Sequence, residues 1–116
     1  MATNTYATTL DKKEIKLYRK YIKTTGKATE EPTSQLGRLR FDFESAGHLI
    51  CWLLDQGTEF ADDLAYAWAD YYNMESVWVD IDNNVNFTTY SDWQNSQIVP
   101  RSVFEAMNFE LRIDLR

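Results

Sequence analysis

Residues 38–44 read RLRFDFE, an unbroken alternation of apolar and charged side chains. Leu39, Phe41 and Phe43 fall on one side, and Arg38, Arg40, Asp42 and Glu44 on the other. That is the pattern of a strand buried on one face only. The sequence closes on a second such run, FELRIDLR (109–116), in which Phe109, Leu111, Ile113 and Leu115 alternate with Glu110, Arg112, Asp114 and Arg116. If the two runs are antiparallel neighbours, one of the available registers sets Arg40 opposite Asp114 and Asp42 opposite Arg112. Each run has a single apolar face, so helices are expected on one side of the sheet and water on the other.

Outward from these strands the period changes to that of helices. Residues 1–8 are polar and read as a flexible N-terminal arm. A helix is expected after Thr9, with Asp11 and Glu14 in its first turn where the helix dipole favours anions, running to about Thr25 and stopping at Gly26. Leu10, Leu17, Tyr18 and Tyr21 share one stripe of it, while Lys12, Lys16, Arg19, Lys20 and Lys23 occupy the opposite side. The stretch 26–37, GKATEEPTSQLG, reads as a loop. Ser45 is a good cap for a helix over about 46–56, with Leu49, Ile50, Leu53 and Leu54 inward and Gly57 at its end. A further helix is expected over about 59–72, where Phe60, Leu64, Ala67, Trp68 and Tyr71 recur at helical spacing. ESVWVDIDNNVNFTTYSDW (75–93) then reads as a β-hairpin. A three-residue loop at 83–85 pairs Ile81 with Phe87 and Val79 with Thr89, keeps apolar residues on one face and lets an Asn take the left-handed position. It is preferred over a two-residue Asn83-Asn84 turn. A loop at 91–98 and a short helix from Pro100 to about Met107 lead into the last strand. The expected fold class is therefore α+β: a single domain over 9–116, in the order α-β-α-α-β-β-α-β. About four strands form an antiparallel or mixed sheet, with helices packed mainly on one face.

The chain has 116 residues, 44% of them hydrophobic and 15% aromatic, which is too apolar for intrinsic disorder. No apolar run approaches the ~20 residues of a membrane span. The start, MATNTYATTLDKK, lacks a hydrophobic signal core, and one cysteine, Cys51, fits a reducing compartment; a cytoplasmic location is expected. One histidine and one cysteine fall short of the common zinc patterns. His48 and Cys51 lie three apart on an apolar helix with no basic neighbour, which reads as packing rather than a nucleophile pair. Asp80, Asp82 and Asn84 have the 1, 3, 5 spacing of a calcium loop, but Val85 stands where that loop needs Gly and Ser91 where it needs Glu. Glycine-rich phosphate loops are absent. No catalytic residue, metal or cofactor is expected, and a small enzyme with its site in the sheet crevice is the least favoured reading.

The charge pattern carries the functional expectation. The net charge is −6, yet residues 1–40 hold nine basic and four acidic side chains, whereas residues 41–100 hold eleven carboxylates and no Lys or Arg. Ordinary surfaces intersperse the two signs. Glu59, Asp62, Asp63, Tyr66 and Asp70 share the outer face of the helix expected at 59–72, and Trp78, Asp80 and Asp82, together with Tyr90, the polar face of the hairpin. Carboxylates mixed with Trp and Tyr suit contact with an Arg-rich protein surface. These residues are therefore the expected partner-binding set of a non-enzymatic acidic module. In its sharpest form it is an inhibitor that fills a basic, nucleic-acid-binding groove of another protein by presenting phosphate-like charge, as phage, plasmid or immunity-type inhibitors do. The partner is expected to be a protein with a basic surface, with no direct nucleic-acid binding and no membrane association. Two alternatives remain: a solvated acidic face, and a homo-oligomeric adaptor, such as a homodimer, that uses a secondary basic stripe of Lys12, Lys16, Arg19 and Lys23. No motif assigns the chain to a family.

Overall fold

The computed structural model describes residues 3–32, 38–56, 73–107 and 110–115. In chain order they form β1 (Thr3–Thr8), α1 (Lys12–Thr25), β2 (Ala28–Pro32), β3 (Leu39–Phe43), α2 (Ala46–Asp55), β4 (Met74–Val79), β5 (Asn84–Thr89), β6 (Asp92–Pro100), α3 (Arg101–Glu105) and β7 (Glu110–Leu115). The class is α+β, as the alternating and helical periods require. Two sheets are present where one was expected, and the chain divides into two compact units: residues 1–46 with 108–116, and residues 47–107. The helix expected at 59–72 lies outside the described residues.

The first unit is a four-stranded mixed sheet in the order β1-β7-β3-β2. β1 runs parallel to β7, while β3 is antiparallel to both β7 and β2. β1 and β2 therefore point the same way at opposite edges, and the chain between them is α1. Asp11 caps α1, its carboxylate accepting from Glu14 N–H at 2.9 Å. Gly26 ends the helix in the left-handed conformation, φ 65°, and donates its N–H to Ile22 O. A β-carbon disfavours that conformation, which is why glycine stands there.

Tyr18 and Tyr21 are the buried positions of α1. Tyr18 meets the rings of Phe41 and Phe43 edge-on at 5.6 and 5.3 Å, and Tyr21 meets Phe43 at 5.7 Å. Each such ring pair adds about 0.5–1.5 kcal/mol beyond its buried area. Leu111 and Ile113 of β7 complete this core, directly across from Phe43 and Phe41. The charged face has the register that the alternation allows, Arg40 opposite Asp114 and Asp42 opposite Arg112.

Two expectations are corrected in this unit. Residues 3–8 are not a free arm but β1, paired along its whole length with β7. Their polar sequence, TNTYAT, carries no apolar alternation, and it is pairing with β7 that makes it a strand. Residues 28–32, expected within a loop, form edge strand β2. Pro32 is tolerated at its last position, and Glu30 and Glu31 find cations in Arg19 and Arg40 at 2.7 Å each.

The second unit holds α2 from Gly47 on, the antiparallel sheet β4-β5-β6, and α3. Leu49, Ile50, Cys51 and Leu53 of α2 are fully buried. Val77, Val85 and Phe87 form the buried side of the sheet, and Phe87 lies 6.2 Å from the ring of Phe104 in α3. Gly47 has a packing reason: a β-carbon there would stand 2.3 Å from the carbonyl oxygen of Phe104, so only glycine lets α2 approach this backbone.

The hairpin has a three-residue loop, but at 81–83 rather than 83–85. Val79 opposes Val85 and Val77 opposes Phe87. Asn83 takes the left-handed position, φ 62°, as an Asn was expected to. Both registers keep Val77, Val79 and Phe87 on one face, so parity alone does not separate them; the shift brings Val85 from the loop into the ladder and moves Ile81 from the expected core face to the tip. Residues 92–100, expected mainly as loop, are β6. The pairing of β6 with β5 is regular from Gln97 to Pro100; the register then shifts across residues 93–96, and Asp92 pairs with Thr89. α3 is shorter than expected, ending at Glu105, with Pro100 at its N-cap.

Candidate binding surface

The division into two units sharpens the charge asymmetry. Residues 1–46 and 108–116 hold eleven cations and eight carboxylates, a net of +3. Residues 47–107 hold ten carboxylates and one cation, a net of −9. That cation, Arg101, is sequestered. Its guanidinium forks onto both oxygens of Asp55, with Nη1 2.9 Å from Oδ1 and Nη2 on Oδ2. Nε donates to Glu105 at 2.9 Å, and Nη1 also reaches Asn83 Oδ1 at 3.2 Å. The hydrogen bond to Asp55, above all, holds the guanidinium more firmly protonated than usual. The second unit therefore offers no exposed cation among its described residues.

Of the expected partner-binding residues, Glu59, Asp62, Asp63, Tyr66 and Asp70 lie outside the described residues. Trp78 is exposed, on the face of the sheet opposite Phe87. Along one cross-strand row that face carries Trp78, the buried Asn86 and the exposed Ile98. Asp82 is exposed beside Ile81, which protrudes completely at the hairpin tip.

Asp80 is half-buried and engaged within the hairpin. Its Oδ1 accepts from Asn84 N–H at 2.9 Å and its Oδ2 from the Asn86 side-chain amide at 2.8 Å, so it braces the turn instead of facing outward alone. The hydrogen bond from Asn86, followed by that from Asn84, lowers its pKa below the usual carboxylate value. The calcium-like spacing of Asp80, Asp82 and Asn84 thus serves hairpin geometry. Among the described residues no cluster of three or more His, Cys, Asp or Glu is placed to hold a metal.

Sequence reasoning overlooked exposed Trp93 and Ile98, because both lie in a stretch taken mainly for loop. Together with exposed Tyr90, they join Trp78 as large apolar side chains open to solvent in this unit. Glu75 and Asp92 supply further exposed carboxylates.

All four members of the basic stripe are exposed, and one of them, Arg19, is engaged within the fold. Arg19 is tied to Glu30 by Nε at 3.0 Å and Nη2 at 2.7 Å, and this bond raises its pKa. Lys12, Lys16 and Lys23 remain exposed on the side of α1 away from Tyr18 and Tyr21. On the charged face of the first sheet, a shallow hollow of about 370 Å³ is bordered by Thr29, Asp42, Glu44, Glu110 and Arg112. Arg112 there is engaged by Asp42 at 2.8 Å.

Cys51 is fully buried, and burial pushes its thiol up to about 12, far from a reactive thiolate at neutral pH. Among the described residues no helix is long and apolar enough to cross a membrane. In comparisons with known protein families, curated proteins and solved structures, the chain matches none.

Proposed function

We propose that the protein is a non-enzymatic binding module whose 47–107 unit engages a basic surface on another protein, most specifically a nucleic-acid-binding groove that it blocks by presenting carboxylates in place of phosphates. The observation that carries this reading is the unit's ten carboxylates against a single cation, which Asp55 and Glu105 already bind. A field of one sign opposes the compact state, so its persistence over one unit calls for a use. Long-range attraction would steer the partner, while Trp78, Tyr90, Trp93 and Ile98 would provide the desolvated contact that charges alone do not. Glu59, Asp62, Asp63, Tyr66 and Asp70 extend the same surface in this reading.

The test is affinity capture from cell extract at low and high salt, identification by mass spectrometry, and titration of the captured partner. A variant with Glu59, Asp62, Asp63 and Asp70 changed to Asn or Gln is compared with wild type, circular dichroism confirming that both are folded. The partner is expected to be basic at its contact site, and the variant to associate more slowly and with a weaker salt dependence. Excess nucleic acid should compete for the partner without binding this protein. Unchanged affinity in the variant, or tight binding of nucleic acid by the isolated protein, would refute the reading.

A further inference from the structure

We infer that the exposed face of the β4-β5-β6 sheet has a second occupant built into the chain: the lysine stripe of α1 from another copy. This rests on the reading of the 47–107 unit as a surface that binds cations. The face bears Trp78 and Ile98 on either side of Asn86; exposed Asp82 stands at the hairpin end of the strands, and exposed Glu75 and Asp92 at the opposite end, Asp92 across from Thr89. Across β4, β5 and β6, residues 74–100, there is no Lys or Arg. Such a face favours long aliphatic side chains tipped with positive charge, the stems lying on indole and the heads reaching carboxylates.

Lys12, Lys16 and Lys23 fit that description. At 1.5 Å per residue they recur about 6 and 10 Å apart along one line of the helix, opposite its buried tyrosines. None of the three forms an ion pair among the described residues. A nucleic acid is the other polyanion the stripe could meet, but it would have to approach a chain of net charge −6. The acidic unit, by contrast, is present at the same concentration as the stripe itself. The two patches differ, so the contact is head to tail, and the rotation between copies decides whether it closes into a ring. Self-association of this kind occupies the acidic face until a more basic partner displaces the lysines.

The experiment is sedimentation velocity on the full chain at about 0.02 M and about 0.5 M salt, the latter cutting the Debye length to about 4 Å. Wild type is expected to associate with concentration at low salt and to run as a monomer at high salt. One variant carries Lys12→Glu, Lys16→Glu and Lys23→Glu, and a second carries Glu75→Lys, Asp82→Lys and Asp92→Lys. Each alone should weaken association about tenfold or more, and mixing the two should restore it, because each then supplies the charge the other lacks. A nine-residue oligolysine peptide should dissociate wild-type assemblies, a readout that needs no variant to fold.

A wild-type monomer at low salt that still binds oligolysine overturns the self-docking and leaves the cation-binding surface standing. A monomer that binds no oligolysine overturns both. Association indifferent to salt and to the lysine changes also defeats the inference, pointing to an apolar interface instead. Low-salt capture of a short DNA or RNA duplex by the lysine stripe, in place of self-association, defeats it as well.

Discussion

Arg101, the first residue of α3, donates through both terminal guanidinium nitrogens to Asp55, the last residue of α2, across 46 positions of sequence. The pair joins two helix ends, and Asn83 at the hairpin tip shares the same guanidinium. The only cation of the acidic unit is thus a structural clamp, unable to moderate the surrounding field at the surface.

Arg101→Met should therefore loosen the unit by about 1–2 kcal/mol, since a fork of charge-assisted hydrogen bonds is lost while half-exposed Asp55 regains water. Arg101→Lys should recover only part of this, because an ammonium cannot reproduce the fork. Urea unfolding of both variants checks the order wild type, Lys, Met.

Gly47→Ala should be among the most damaging small substitutions. The added carbon would sit 2.3 Å from the Phe104 carbonyl, and backbone on both sides must shift to relieve it. Overpacking of this kind costs roughly 1–3 kcal/mol, against the slight gain Ala normally brings within a helix. A higher midpoint in thermal unfolding would contradict the close approach of α2 to α3.

Cys51 makes stability fall in alkali. Its native thiol is raised from 9.0 to about 12, so the unfolded chain ionises first. The contribution is complete below the unfolded value and is lost as pH climbs from about 9 toward 12. Denaturant midpoints across that range should decline, more steeply than in Cys51→Ala. Thiol reagents should label the native protein far more slowly than the unfolded one.

Asp80 acts at the other end of the scale. Its carboxylate is depressed by the amide of Asn86 and the N–H of Asn84, so it stabilises the hairpin above the unfolded carboxylate pKa, and the effect fades as pH falls through the lower folded value. Below about pH 4 the amide protons of Asn84 and Asn86 should lose protection before those of β7. Asp80→Ala should produce the same local loosening at neutral pH.

Much of the first unit was legible without coordinates. RLRFDFE and FELRIDLR alternate strictly, and an alternating strand has only two parities, so burial of the aromatic face put Arg40, Asp42, Arg112 and Asp114 on one side; of the registers this leaves open, the fold adopts the one that sets Arg40 opposite Asp114 and Asp42 opposite Arg112. The stop at Gly26 and the inward tyrosines of α1 follow from local chemistry that any neighbouring structure would respect, whereas Asp11, expected in the first turn, is the N-cap of a helix that starts at Lys12. The concentration of carboxylates between 41 and 100 was likewise plain from the residues alone.

Tertiary structure decided the rest, because the deciding partners are remote. TNTYAT carries no period and becomes a strand through the backbone hydrogen bonds of β7, and residues 97–100 join the second sheet by pairing with β5, which no local pattern announces. The hairpin loop slid toward the N-terminus without changing face parity, so side-chain pattern could not place it. Asp80 closing on Asn84 and Asn86, and Arg101 reaching Asn83, brace the loop that was formed. Arg19 in the basic stripe and Asp80 in the hairpin are each engaged by a strand residue, Glu30 and Asn86, 11 and 6 positions away. A sequence states how many charges a segment holds. Which of them face a partner depends on which have already been neutralised within the fold, and that is settled by distances between residues far apart in the chain.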